Sequence, residues 1–133
     1  MPVLESIFTI ATAKKLRVVM PEMEDPRIAS AASRLEKDGI ASIVNLPDLT
    51  DEMIEVLVNK RGMKSAIARR MLSKPLIRAA ATVATGLADV MVAGAESPTK
   101  RVIEAASLAI GLKDDVSIPS SFFLIILPTP IYL

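Results

Sequence analysis

Four short apolar runs divide the chain and limit what it can fold into. They read RVVMP at residues 17–21, ASIVNL at 41–46, DVMVA at 89–93 and SSFFLIIL at 120–127. Continuous apolar runs of this length suit strands buried on both faces. The stretches between them carry apolar residues at helical spacing. Strands alternating with helices predict a parallel sheet with helices on both faces.

The helices can be placed from their ends. Residues 2–15 put Leu4, Ile7, Phe8 and Ala11 on one face of a first helix. Asp25 before Pro26 is a good cap and first-turn pair. It opens a helix through Ile28, Ala31, Ala32 and Leu35 that stops at Gly39. Residues 47–59 carry an apolar face of Met53, Ile54, Leu57 and Val58. Residues 63–72 and 76–85 give two more helices, the second rich in alanine. Residues 101–110 give the last, with Val102, Ile103, Ala106 and Ile110 inward.

Composition excludes much chemistry. The 133 residues are the length of one domain, and 51% are apolar, enough to collapse around a core. The chain has no His, Cys, Trp or Gln. Thiolate nucleophiles, disulfides, imidazole bases and His- or Cys-ligated metals are therefore excluded. Catalysis would fall to Asp, Glu, Lys, Ser, Thr, Arg, the single Tyr132 or backbone amides. A net charge of +1, with three Phe and one Tyr, does not suit a nucleic-acid binder.

The first residues carry Glu5 early and lysines late, the reverse of a secretory leader, so a cytoplasmic protein is expected. Residues 116–133 are uncharged, but Pro119, Pro128 and Pro130 interrupt them. The continuous apolar run within them, Phe122 to Leu127, reads as a buried strand rather than a membrane span.

Four places could carry chemistry. The turn Gly94-Ala95-Glu96-Ser97-Pro98-Thr99 follows a strand and opens a helix, where ligands bind in open parallel sheets. Ser97 would cap that helix with Pro98 at its first position. Free backbone N–H groups, the Thr99 hydroxyl and the Arg101 guanidinium could hold a phosphate or carboxylate. The same residues also read as ordinary capping chemistry. Glu22, Glu24 and Asp25 could bind a divalent cation, or simply favour the positive end of the next helix. Between Val56 and Ala88 stand Lys60, Arg61, Lys64, Arg69, Arg70, Lys74 and Arg78 with no acid among them. They could steer a polyanion, or form a solvated face. Ser120 and Ser121, before the last strand, could touch a ligand or be structural.

Taken together, these pieces resemble the phosphate acetyltransferase/phosphate butyryltransferase family. RVVMPEMEDPR with the following LEKDGIAS is similar to its opening strand, acidic turn and helix. KRGMKSAIARRML is similar to its K-G-M helix start. GLADVMVAGAESPTKRVIEAASLAIGL and PSSFFLIILP are similar to the strand–turn–helix and central strand that follow.

The resemblance implies a three-layer α/β/α fold with a mostly parallel sheet, like isocitrate/isopropylmalate dehydrogenase. It implies reversible acyl transfer from acyl-coenzyme A to inorganic phosphate. Coenzyme A is then a substrate, with no resident cofactor or metal, in a cytoplasmic homodimer. Ser97, Thr99, Arg101, Ser120, Ser121 and Arg61 would contact phosphate or coenzyme. Arg61 or Lys60 would stand in for a family arginine that falls near Val58.

The sequence departs from the family in length. Its S-R-G…D motif, which carries the main catalytic groups, has no counterpart in these 133 residues. The expectation is most of a first domain, residues 1–133, without the second, and with little activity of its own. The alternative is a module that binds coenzyme or phosphate without turnover, or an interaction module that pairs through its exposed last strand. A dinucleotide-binding domain would need G-x-G-x-x-G, which is absent.

Overall fold

The structure is a computed structural model and describes residues 2–128. The elements run α1 (Pro2–Lys14), β1 (Arg17–Val19), α2 (Pro26–Lys37), β2 (Ser42–Val44), α3 (Asp51–Arg61), α4 (Ser65–Leu72), α5 (Pro75–Ala84), β3 (Val90–Met91) and α6 (Thr99–Ala109). The strands form one parallel sheet in the order β2-β1-β3. This is the expected α/β alternation, with each strand trimmed at its ends.

Register explains how helices cover both faces. Val18 pairs with Ile43 on one side and with Val90 on the other. These three side chains point to one face and pack with Ile28, Ala32 and Leu35 of α2. Val19, paired with Val44 and Met91, points to the other face, toward Ala79 and Val83 of α5. Alternating residues of a strand face opposite ways, so a short apolar run can feed two cores at once.

A third core lies among α3, α4, α5 and α6, with Met91 of β3 packed against it. Met53, Leu57, Ala68, Leu72, Ala80, Ala81 and Ala109 are fully buried there. The alanines of α5 let α3 and α6 approach closely. Arg78 runs through this region: its Nε donates to the Pro47 carbonyl at 2.9 Å and its Nη1 to those of Leu72 and Ser73. Among the described residues, no buried side-chain polar atom lacks a partner.

Helix ends follow their chemistry. Asp25 caps α2 with Pro26 first, as expected, and Thr50 accepts from the Met53 amide at the start of α3. Gly39, past the end of α2, has φ of 70°, a left-handed turn that costs glycine little.

Three expectations are corrected. First, residues 120–127 form no strand. Phe122 and Phe123 are 88% and 94% exposed, and the sheet has three strands among the described residues. The run is apolar enough for a strand, but among the described residues it has no ladder partner, and a lone strand leaves its backbone groups unpaired.

Second, α6 buries Ala105 and Ala109, whereas Ile103 and Ile110 are exposed. Small residues allow the close approach to α5 that larger ones would prevent. Third, α6 begins at Thr99 with Pro98 in the capping position and no side-chain cap, so Ser97 does not cap it.

Helix α1 is amphipathic in sequence but buries no residue. Among the described residues, no helix is long and apolar enough to cross a membrane. Pro130 and Tyr132 lie outside the described residues.

Candidate functional site

Strand β3 leads through residues 92–98 into α6. At the carboxyl edge of a parallel sheet such a connection faces open space, and here it forms one wall of a cleft. The cleft holds about 580 Å³. The turn and α6 contribute Glu96, Ser97, Pro98, Arg101 and Glu104, with Ala105 and Leu108 deeper along the helix. The opposite wall comes from α4, α5 and their connection: Met71, Lys74, Leu76 and Ile77. The floor is apolar and the rim is charged.

Two cations sit on that rim. Among the described residues, neither the Lys74 nor the Arg101 side chain forms an ion pair. Glu104 stands 4.0 Å from Lys100 one turn away, so part of its charge is offset outside the cleft. An apolar floor with unpaired cations at its mouth suits a ligand with an anionic end and a less polar body.

The turn itself is held from behind. The Glu22 carboxylate, after β1, accepts four successive backbone N–H bonds. Gly94 and Ala95 donate to Oε1 at 2.8 and 3.0 Å, and Glu96 and Ser97 donate to Oε2, each at 2.7 Å. Burial alone would push this carboxyl up. The four amide donors outweigh it and hold the group down at about 2. Gly94 has φ of 124°, a conformation that L side chains rarely adopt, and this aims its amide at Glu22.

Asp25 and Arg27 extend the clamp. Arg27 grips Asp25 through Nε and Nη2, and its Nη2 also reaches the Ala95 carbonyl at 3.1 Å. The Arg27 side chain and backbone amide, set against some loss of solvation, hold the Asp25 carboxyl at about 2.

The residues singled out from sequence therefore divide. Ser97 and Arg101 line the cleft, while Thr99 is exposed on the first turn of α6. Of the backbone N–H groups assigned to an external anion, those of Gly94 to Ser97 are taken by Glu22, because a buried carboxylate needs donors as much as the turn needs an acceptor. Glu22, Glu24 and Asp25 do not converge on a cation: Glu22 faces the turn and Asp25 faces its own helix and Arg27.

Arg61 points away from the cleft. Its Nε and Nη2 donate to the carbonyls of Leu108 and Ser107 at 2.7 and 2.6 Å, closing the end of α6. Ser120 and Ser121 are exposed and do not line the cleft. Lys74 went unmarked in sequence except as one of seven basic residues. Its separation from Arg101 along the chain hid that both reach one opening.

A family model described as phosphate acetyl/butaryl transferase matches residues 45–133, which include the β3–α6 connection and both walls of the cleft. The chain belongs to this family. Phosphate acetyltransferases from Paracoccus denitrificans and Acetivibrio thermocellus are 32% and 30% identical to it, over 92% and 96% of the chain. The chain spans less than half the length of these two relatives, 44% and 47%.

Two solved structures share the fold: a phosphotransacetylase from Streptococcus pyogenes, with a TM-score of 0.77 at 22% identity, and one from Staphylococcus aureus, with 0.76 at 21%. Each alignment covers 88% of this chain and 44% of the other. The resemblance to the phosphate acetyl/butaryl transferase family thus holds by sequence, and the fold agrees.

Proposed function

We propose that these residues form the coenzyme- and phosphate-binding part of an enzyme that transfers an acyl group reversibly between coenzyme A and inorganic phosphate. The observation that carries this reading is the cleft, with Lys74 and Arg101 unpaired above an apolar floor, in a chain of this family.

In the forward direction a phosphate oxygen attacks the thioester carbonyl carbon. The carbonyl becomes an oxyanion, and the carbon–sulfur bond then breaks to release coenzyme A and the acyl phosphate. Arg101 and Lys74 offset the charge of phosphate and oxyanion, and the Ser97 hydroxyl in the cleft wall orients them; Thr99, outside that wall, joins only through the first turn of α6. Positioning and charge stabilisation are the sources of rate in such a step. Coenzyme A acts as substrate, and the reading needs no metal or resident cofactor. Ser120 and Ser121 join the site only if residues 120–127 are drawn into the sheet. Arg61 supports the reading through the end of α6. The protein acts in the cytoplasm, and a homodimer is its assembly.

These 133 residues hold no S-R-G…D sequence, so we expect binding without turnover from them alone. Calorimetry of the chain with coenzyme A, beside an assay for acetyl phosphate formation from acetyl-coenzyme A, tests this. The expected result is saturable binding, weakened about tenfold in Arg101→Ala, the scale of one charge-assisted contact, with no detectable product. Absence of coenzyme binding would sink the reading of the cleft. Acetyl phosphate formation that Arg101→Ala abolishes would show that these residues carry the whole reaction.

A further inference from the structure

We propose that Glu22 is a positioning residue whose carboxylate stands in for an external anion in the 94–97 turn, closing the turn's amides to ligand and leaving anions to the Lys74 and Arg101 side of the cleft. This rests on the reading of that cleft as a coenzyme and phosphate site.

Four successive amides converging on one point are a ready anion site, of the kind that elsewhere cradles phosphate. Here the site is filled from within the chain, by a side chain 72 to 75 residues away from its donors. Glu22 is only 8% exposed, and among the described residues its carboxylate accepts hydrogen bonds from these four amides. A second anion has neither a free donor there nor relief from the charge already present.

The same residues show their other side to the cleft, where Glu96 and Ser97 are part of the wall. The carboxylate therefore sets the position of Ser97 and the approach to Arg101 without touching a ligand. Arg27, held by Asp25 and bonded to the Ala95 carbonyl, braces the turn from the same side.

The test uses the 133-residue chain with Glu22→Ala and Glu22→Gln, followed by amide hydrogen exchange and coenzyme A calorimetry. In Glu22→Ala the amides of Gly94, Ala95, Glu96 and Ser97 should exchange about tenfold faster or more, the scale expected for lost charge-assisted bonds. Sodium acetate should restore their protection saturably, while sodium chloride at matched ionic strength should not. Wild-type protein should be indifferent to acetate. Coenzyme A affinity should fall about tenfold in Glu22→Ala and return with acetate. Glu22→Gln, which keeps shape but not charge, should fall between.

Unchanged protection in Glu22→Ala, or insensitivity to acetate, overturns the proposal. So does inorganic phosphate shifting the Gly94 and Ala95 amide resonances of the wild type. Loss of the whole fold in both variants would also overturn it, by making Glu22 a residue of the fold rather than of the turn. If wild type binds no coenzyme A, the reading of the cleft fails, while the exchange and acetate results still decide the place of Glu22.

Discussion

The turn at 94–97 and the segment at 120–127 both looked, in sequence, like parts of one site, yet only the first is assembled. The turn is short and polar, and it includes a glycine at positive φ. It is fixed because Glu22 and Arg27, from the connection after β1 and the start of α2, reach it. The segment is the most apolar run in the chain and is fully out in solvent at Phe123. Apolar content alone does not place a strand. A backbone partner does, and among the described residues the turn has partners where the segment has none.

The sharpest way to break this contrast is to remove the platform under the turn. Leu72 is fully buried among α3, α4, α5 and α6, the helices that carry the cleft. Leu72→Ala should lose about 2–5 kcal/mol, the usual cost of a large-to-small change at a packed site. Denaturant unfolding measures it. A loss below about 1 kcal/mol would mean that the helical cluster is loosely packed and does not support the turn.

Acid should act next, through the clamp. Glu22 and Asp25 have carboxyls lowered to about 2 from ordinary values of 4.5 and 3.8. The folded state therefore binds protons less readily than the unfolded chain. The stability these groups contribute is fully present above pH 4.5 and is lost as pH falls toward 2. Thermal midpoints measured between those limits should drop with pH, and the slope should be shallower in Glu22→Gln. Equal slopes in the two proteins would show that Glu22 titrates normally and that the turn is not held by its charge.

What was legible in the sequence follows the same division. Local chemistry was readable. Asp25-Pro26 opens a helix, Gly39 closes it, and apolar runs alternating with helical stretches give a parallel sheet covered on both faces. The site was readable in part, because Ser97 and Arg101 lie on one turn of chain and both reach the cleft.

The remainder depends on distance along the chain. Nothing near Glu22 announces that it will meet amides more than seventy residues later. Nothing in the basic block separates Lys74, which reaches the cleft, from Arg61 and Arg78, which bind carbonyls inside the fold. Ser97 looked like a cap because Ser-Pro is common capping chemistry. That α6 begins one residue later, with Pro98 in the capping position, could be seen only in three dimensions.

The smallest effect is expected in the exposed segment, and that is what makes it informative. Phe123 is 94% exposed, so truncating it removes almost no buried area in this chain. Phe123→Ala should change unfolding stability by less than about 0.5 kcal/mol, as surface substitutions away from special features do. The same change should raise the concentration at which the protein stays in solution, because an uncharged apolar run with free backbone edges invites association between chains. Denaturant unfolding at low protein concentration, paired with light scattering at high concentration, separates the two effects. A loss comparable to Leu72→Ala at low concentration would mean that Phe123 is packed within one chain. The contrast between the held turn and the unheld segment would then fail, and residues 120–127 would belong to the same folded body as the cleft.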